Sequence, residues 1–325
     1  MGTKLIKAGI IISFIIINYI LAIAIHELGH LCMGKTIGYS LVYYRVGPFK
    51  ILRENGKWRL TRETIPGTLG QCLMMPPKTD SPEKLPAVPY HLGGGLFNLI
   101  TAAISIPLWL FLPAFYGKVY FLMLLMLSLY FGILNLYPTK VSIPNDGYNI
   151  RLMRKNLSDR KAIYHVLQIT GSVDLTLGEM PEDFFSYDED GEYQGTMRML
   201  NASRNLDLGN WELAESGFRE VFEDKKNTAE YYRKEAKKEY LFCLILRGGS
   251  SEELTALYSE LENELNGKNR SNVALRVLYA YDLLVKKDEK KAQEDYREYQ
   301  KNLQHLAPGD KKMEMKLISA VTGKS

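Results

Sequence analysis

The sequence predicts a membrane protein with a three-span α-helical core, followed by a cytoplasmic all-α domain that resembles a helical repeat. Two observations support this fold class. Apolar residues make up 46% of the 325-residue chain, and the long apolar runs fall mostly within the first 150 residues. The remainder carries the dense charge of a soluble chain, and from Gln194 onward its pattern is typical of helices with a faint repeat.

Three apolar segments are each long enough to cross a bilayer, which takes about 20 residues. They cover about residues 5–33, 92–112 and 119–137, so that residues 1–150 form the predicted membrane core. The turn-like segment 113–118 separates the second span from the third. Because this connection is so short, the two spans are predicted to be antiparallel.

The distribution of basic residues predicts the orientation of the spans. The loop between residues 34 and 90 holds nine basic residues against four acidic ones, whereas the opposite side offers Lys4, Lys7 and Lys118. Basic loops stay in the cytoplasm. We therefore expect a multi-pass protein of the cell membrane with its N-terminus outside and its long loop and C-terminal domain in the cytoplasm.

A metal-binding motif, His26-Glu27-Leu28-Gly29-His30, lies at the cytoplasmic end of the first span. Two histidines four residues apart share one face of a helix and can hold one zinc ion. A glutamate beside the first histidine can take a proton from water that zinc activates. The motif predicts Zn²⁺ as cofactor, His26 and His30 as its ligands, and Glu27 as the catalytic base.

Zinc at a catalytic site needs a third protein ligand, and Asp146 is the best candidate. It follows a proline-containing break, and Gly147 allows the backbone to bend toward the metal. A surface turn is the alternative interpretation of this Asn-Asp-Gly sequence. The predicted topology brings it to the same depth as the polar motifs at 93–98 and 135–138, near the inner face, where polar groups are costly and usually functional.

This ordered set of motifs resembles the site-2 protease family of intramembrane zinc metalloproteases. The resemblance covers roughly the first 150 residues and rests on His26-Glu27-x-x-His30, Gly94-Gly-x-x-Asn98 and Asn135-x-x-Pro138 with the later Asp146-Gly147. It implies that Asp146 completes the zinc site and that Glu27 is the catalytic base. It also implies that Asn98 lies in the active site and helps to hold the substrate or the tetrahedral intermediate, for which its amide could donate a hydrogen bond to the developing oxyanion.

Two further features lie near these motifs. In the resembled family, a β-hairpin after the first span can receive the substrate as an added strand, and the short apolar segment 69–75 is a candidate for such a strand. Loop residues packed on the helices are the alternative. His91 precedes the glycine run, and a plain interfacial histidine is the favoured interpretation over a partner of a metal ligand or a transition-state donor.

The C-terminal half is predicted as a helix and acidic linker over residues 151–193 and a helical domain over 194–325. Around residues 209–214 the pattern resembles a degenerate tetratricopeptide repeat, although its period of about 39 residues exceeds the roughly 34 that are typical. Stacked helix pairs of this kind offer a surface to a protein partner. A plain helical bundle is the alternative.

Charge and cysteine content narrow the class of protein. A net charge of +4, without a phosphate-binding loop or a base-reading helix, argues against a nucleic-acid partner. Cys32, Cys72 and Cys243 lie far apart and predict neither a disulfide framework nor a thiolate metal site.

The sequence therefore predicts a zinc-dependent protease that acts on membrane-spanning protein or peptide substrates in the lipid bilayer. One alternative is a membrane-anchored helical-repeat scaffold with an inactive metal site. Another is a secreted zincin released by cleavage of the first span as a signal peptide, after the possible site at residues 22–24. The two later spans oppose that interpretation.

Overall fold

The structure is a computed structural model that describes residues 2–54, 57–62, 68–139, 144–187, 191–267 and 270–323. The chain divides into two compact units, Met1–Leu167 and Gln168–Ser325.

Three long helices dominate the first unit: α1 (Gly2–Thr36), α2 (Val88–Phe111) and α3 (Phe115–Leu136). All three are long and apolar enough to cross a membrane, in agreement with the three predicted spans. Isoleucines on α1, such as Ile16 and Ile20, remain about half exposed, as expected of side chains that face lipid.

Glycines allow α1 and α2 to pack closely. A Cβ atom on Gly29 would overlap the backbone carbonyl of Gly93, and the reverse substitution would overlap the carbonyl of Gly29. Lipid gives apolar side chains no hydrophobic drive to associate, so close backbone packing between small residues stabilises such helix pairs. The contact places the His26–His30 turn of α1 directly against the glycine run of α2.

A four-stranded antiparallel sheet follows α1 and corrects the purely helical prediction for the core. Its strands are β1 (Ser40–Val46), β2 (Phe49–Glu54), β3 (Lys57–Arg62) and β4 (Gly70–Met75), in the spatial order β3-β2-β1-β4. The predicted strand at 69–75 is β4. The other three were missed, although charged and apolar residues alternate over residues 57–60 of β3 with the period of two that indicates a strand.

The sheet packs beside the C-terminal half of α1. Tyr44 of β1 donates a hydrogen bond from its hydroxyl to the carbonyl of Ala24, at 2.6 Å. Gly70, at the start of the edge strand β4, lies against the side chains of Ile23 and Glu27. The edge of the sheet is therefore adjacent to the metal-binding motif.

Two helices follow the third span: α4 (Asp146–Lys155) and α5 (Leu157–Gly171). A single helix was predicted here, but the chain breaks at Asn156, whose backbone is extended. Asn145 caps α4 by accepting a hydrogen bond from the backbone N–H of Tyr148, at 2.9 Å. Its amide also donates to the carbonyls of Leu134 and Tyr137, and this ties the start of α4 to the end of α3.

The second unit is helical, as predicted. Its helices are α6 (Gln194–Leu208), α7 (Trp211–Glu223), α8 (Glu230–Arg247), α9 (Ser251–Leu265), α10 (Asn272–Ala280), α11 (Glu289–Leu303) and α12 (Pro308–Thr322). Consecutive helices pack on one another, α6 on α7, α7 on α8 and α10 on α11. Two short 3₁₀ turns, Leu177–Glu179 and Glu182–Phe185, occupy part of the predicted acidic linker.

A buried ionic network joins four of these helices. The guanidinium of Arg276 on α10, which is fully buried, contacts Glu239 of α8 at 2.8 and 2.9 Å and Glu314 of α12 at 2.8 Å. Tyr299 of α11 donates its hydroxyl hydrogen to Glu314, at 2.9 Å. Phe242 lies against the Arg276 guanidinium. The network links side chains of all four helices in the interior of this unit.

Candidate metal centre

Three side chains from two distant parts of the sequence meet at one point inside the first unit. The Nε2 atoms of His26 and His30 lie 3.1 Å apart, and Oδ2 of Asp146 lies 3.3 Å from each of them. Both imidazoles are buried, and the Asp146 side chain is only 15% exposed. The structure thus brings together the three residues that the sequence predicts as ligands.

The separations of these donor atoms fit a metal ion. Donors bound at 2.0–2.2 Å around a tetrahedral ion lie roughly 3.3–3.6 Å from one another, and the observed triangle is close to that size. The group of His26, His30 and Asp146 can therefore hold a metal ion. A tetrahedral ion with three protein ligands keeps one position for water or substrate.

Gly94 leaves the space in which the two imidazoles meet. A Cβ atom on this residue would lie 2.5 Å from Nε2 of His26 and 2.5 Å from Nε2 of His30. Glycine in the middle of a helix costs about 1 kcal/mol relative to alanine, so a run of three marks a position where close approach is needed. The glycine run is visible in the sequence, but the sequence does not show which side chains approach it.

Without a metal ion, the histidines keep the carboxylate of Asp146 ionised. Burial alone would raise the pKa of Asp146, but the charge of His30 and hydrogen bonds from His26, His30 and His91 hold that pKa well below its ordinary value. A metal ion would replace the protons on the Nε2 atoms of His26 and His30, because histidine ligands bind metal in the neutral form and carboxylate ligands in the ionised form. The surface-turn interpretation of residues 145–147 is wrong, because Asp146 is the first residue of α4 and faces the histidines.

The end of α3 positions Asp146 through its backbone. The Asn135 amide donates to the carbonyl of Phe131, at 2.9 Å, within its own helix. A Cβ atom on Gly147 would overlap the carbonyl of Leu136, so the start of α4 lies directly on the last turn of α3. The Asn135-x-x-Pro138 motif is therefore beside the site, where it supports the aspartate.

Glu27 is buried next to the ligands, with 6% of its surface exposed. It is close enough to His26, His30 and Asp146 to interact with each of them electrostatically. On its other side it contacts Gly70 of β4. A carboxylate in this position lies between the metal ligands and an edge strand.

Residues on α2 contact all three ligands. The backbone carbonyl of Tyr90 lies 2.8 Å from Nδ1 of His30, and the Asn98 amide nitrogen lies 3.3 Å from Nδ1 of His26. Nδ1 of His91 lies 3.3 Å from Oδ1 of Asp146. His91 is buried, so the interpretation of a plain interfacial histidine is wrong.

Tyr90 is one residue near the site that the sequence did not indicate. Besides its carbonyl contact with His30, its hydroxyl donates to the carbonyl of Cys72 in β4, at 2.6 Å. It therefore links a ligand to the edge strand. A backbone carbonyl leaves no signature in a sequence, and a tyrosine is common in a buried helix.

Comparison of the chain with protein-family profiles, with curated proteins and with solved structures finds no match.

Proposed function

We propose that this protein is a zinc-dependent intramembrane protease of the site-2 type, which hydrolyses peptide bonds in membrane-spanning protein or peptide segments. The proposal is carried by the triangle of donor atoms from His26, His30 and Asp146, which lies within an apolar three-helix unit and beside a buried glutamate. Two imidazoles and one carboxylate are a set that zinc accepts in catalytic sites.

The chemistry divides between the ion and the chain. Zinc, when bound, supplies a Lewis acid that activates water and polarises the scissile carbonyl. His26, His30 and Asp146 would hold it. Glu27 takes the proton of the attacking water and passes it to the leaving nitrogen of the peptide bond. Its burial in the apolar core keeps bulk water away from this proton transfer.

The edge strand β4 suggests how a substrate binds. A helical membrane segment hides its carbonyls in its own hydrogen bonds, so cleavage requires an extended stretch. A substrate that adds to the outer edge of β4 would replace Tyr90 and Glu27 as the hydrogen-bond partners of the Cys72 backbone. It would then pass close to Glu27, because Gly70 lies against that side chain. Substrates are therefore expected to contain residues that weaken a helix.

The competing function is a membrane-anchored scaffold in which the C-terminal helices bind a protein partner and the metal site is inactive. Glu27 argues against it, because a site that only binds metal has no use for a buried base next to its ligands. Under the protease proposal the same helices recruit a partner or regulate the protease. The cleavage is then a case of regulated intramembrane proteolysis.

The test combines three variants of the full chain. Membrane proteomics of cells that carry Glu27→Gln, compared with the parent, identifies single-span proteins that accumulate uncleaved, and one of these is reconstituted with purified enzyme. Glu27→Gln should retain zinc and lose cleavage by about 10²–10⁴-fold, the usual contribution of a general base. Asp146→Ala should lose zinc and cleavage together.

The matched control is Glu252→Gln, which alters an exposed glutamate of α9 and should change neither quantity. Cleavage by Glu27→Gln at the parental rate, or a parent protein that binds no zinc, would refute the proposal. A parent that binds zinc but cleaves no membrane protein would support the scaffold.

A further inference from the structure

Helix α2 places one hydrogen-bonding group behind each ligand of the candidate metal site. We propose that Asn98 and His91 are positioning residues, which hold His26 and Asp146 in the orientation that binds metal. The inference rests on the metal site of the proposed function and is independent of proteolysis.

His30 shows the hydrogen-bond arrangement that we expect behind each ligand. Its Nδ1 lies 2.8 Å from the carbonyl of Tyr90, which can only accept a hydrogen bond. His30 therefore carries a proton on Nδ1, and in the neutral ring the lone pair of Nε2 points to the site. A ligand histidine that donates its other N–H in this way has a fixed ring orientation and binds metal more strongly.

His26 needs the same arrangement. Its Nε2 faces the site, so a bound metal requires the proton of the neutral ring to be on Nδ1 and an acceptor to lie opposite. The Asn98 amide occupies that place, with Nδ2 at 3.3 Å from Nδ1. Its Oδ1 is buried and has no hydrogen-bond partner among the described residues.

Rotation of the Asn98 amide by half a turn exchanges its oxygen and nitrogen. Oδ1 then accepts from Nδ1–H of His26, and Nδ2 takes the place that Oδ1 leaves. Without metal, His26 can instead donate from Nε2 to Asp146, at 3.3 Å, and accept from the Asn98 nitrogen. An amide, which has both a donor and an acceptor, serves both states.

His91 has the corresponding role for Asp146. The carboxylate presents Oδ2 to the two histidines, while its Oδ1 lies 3.3 Å from Nδ1 of His91. The His91 side chain is only 8% exposed, so its ring is confined by packing. Nδ2 of Asn149 lies farther from the same nitrogen, at 3.5 Å, so Asp146 is the nearer partner. Donation from Nδ1–H to Oδ1 would fix the rotation of the carboxylate and keep Oδ2 turned toward His26 and His30.

This role for Asn98 differs from the one that the family resemblance implies. A residue that stabilises an oxyanion must donate a hydrogen bond, whereas a residue that positions His26 must accept one. Aspartate only accepts when ionised, and leucine has a similar size but does neither. Asn98→Asp and Asn98→Leu therefore separate the two roles.

The experiment measures Zn²⁺ affinity by competition with a chelator, on the full chain in detergent, with the absorption spectrum of the Co²⁺-loaded protein as a readout of ligand geometry. Asn98→Leu should bind Zn²⁺ about 10–100-fold more weakly than the parent. Asn98→Asp should restore affinity and the parental Co²⁺ spectrum.

His91→Phe should likewise lose about 10–100-fold in Zn²⁺ affinity. His91→Asn, whose amide nitrogen takes the position of Nδ1, should recover most of it. His305→Phe, at an exposed histidine of the second unit, is the control and should bind as the parent does.

The outcomes separate the two proposals. If the parent binds no Zn²⁺, the proposed function fails and this inference fails with it. If the parent binds Zn²⁺ and Asn98→Leu or His91→Phe binds it equally tightly, only this inference is overturned. Equal losses in Asn98→Leu and Asn98→Asp would also overturn it, because a positioning acceptor must be rescued by another acceptor.

Discussion

Gly94 shows how a residue without a side chain can define a site. The two histidine rings occupy the volume that any larger residue would fill. Its neighbour Gly93 has a different role, because it allows the backbone of α2 to pack against Gly29 of α1. Adjacent glycines in one run thus serve the helix contact and the metal site separately.

Gly94→Ala should abolish metal binding. The new Cβ atom would lie 2.5 Å from Nε2 of both His26 and His30, and displacing either ring breaks the triangle of donors. Zinc content of the purified protein, measured by mass spectrometry, gives the result. Gly9→Ala is the control, because nothing lies within 4 Å of its Cβ position. Parental zinc content in Gly94→Ala would show that the rings move without loss of the site.

At the scale of elements, the edge of β4 connects the sheet to the site. A free strand edge offers unpaired N–H and C=O groups to another strand. Here both backbone groups of Cys72 already have partners, since its carbonyl accepts from Tyr90 and its N–H is hydrogen-bonded to Glu27, and Gly70 lies against Glu27. A strand that binds at this edge would therefore change the contacts of Glu27, the residue that we propose as the base.

Gly70→Ala should reduce cleavage while zinc content stays unchanged. Its Cβ atom would overlap the Glu27 carboxylate and Ile23, and a catalytic group displaced by about 1 Å can cost on the order of 10²-fold in rate. The measurement is cleavage of the reconstituted substrate together with metal analysis. Gly117→Ala is the control, since no atom lies closer than 3.5 Å to its Cβ position. If Gly70→Ala cleaves the substrate at the parental rate, the contact between β4 and Glu27 does not influence catalysis.

The buried network around Arg276 sets the packing of helices in the second unit. Arg276→Leu leaves Glu239 and Glu314 buried without their cation, and such a change costs about 3–5 kcal/mol in the free energy of unfolding. Hydrogen exchange of the α8 amides, in the full chain at pH 7, measures this loss. Lys234→Leu, which breaks an exposed ion pair with Glu230 on the same helix, is the control and should leave the exchange of the α8 amides unchanged.

The cost of Arg276→Leu should shrink as the pH falls. Burial raises the pKa of Glu239 in the folded protein even though Arg276 opposes it, and removal of Arg276 raises that pKa further. The folded variant therefore prefers protonated glutamate, and its stability falls as the pH rises through the interval between the unfolded and folded pKa values. A deficit that is the same at pH 5 and pH 7 would contradict this account.

At the scale of the whole molecule, the three apolar helices and the charged helical unit predict a protein with a fixed orientation in the membrane. Nine basic residues in the loop after α1 favour the cytoplasm for that loop. The short connection between α2 and α3 would then lie outside.

Labelling of introduced cysteines tests this orientation. Ala114→Cys, in the α2–α3 connection, should react with a membrane-impermeant maleimide on intact cells, and Gln304→Cys, in the second unit, only after permeabilisation. The parent is the control for background, since Cys72 and Cys243 are buried and Cys32 is partly so. The opposite pattern would reverse the predicted topology.

Local sequence patterns were enough to predict the three apolar helices, the helical second unit and a shared helix face for His26 and His30. Each depends on residues close together in the chain: the length of an apolar run, or two positions one helical turn apart. It also indicated Asp146, through an ordered set of motifs. Strands β1–β3 were missed because the whole basic segment between the first two spans was interpreted as loop, although β1 is rich in the aromatic and β-branched residues that favour strands.

The position of Asp146 against the two histidines, and the contacts of α2 with all three side chains, became visible only in the folded chain. These results depend on the docking of α4 on the end of α3 and on the close contact of Gly29 with Gly93. The roles of Gly94, Tyr90 and His91 follow from the same packing. A contact between distant segments is a property of how helices pack in three dimensions, and no local pattern of residues encodes it.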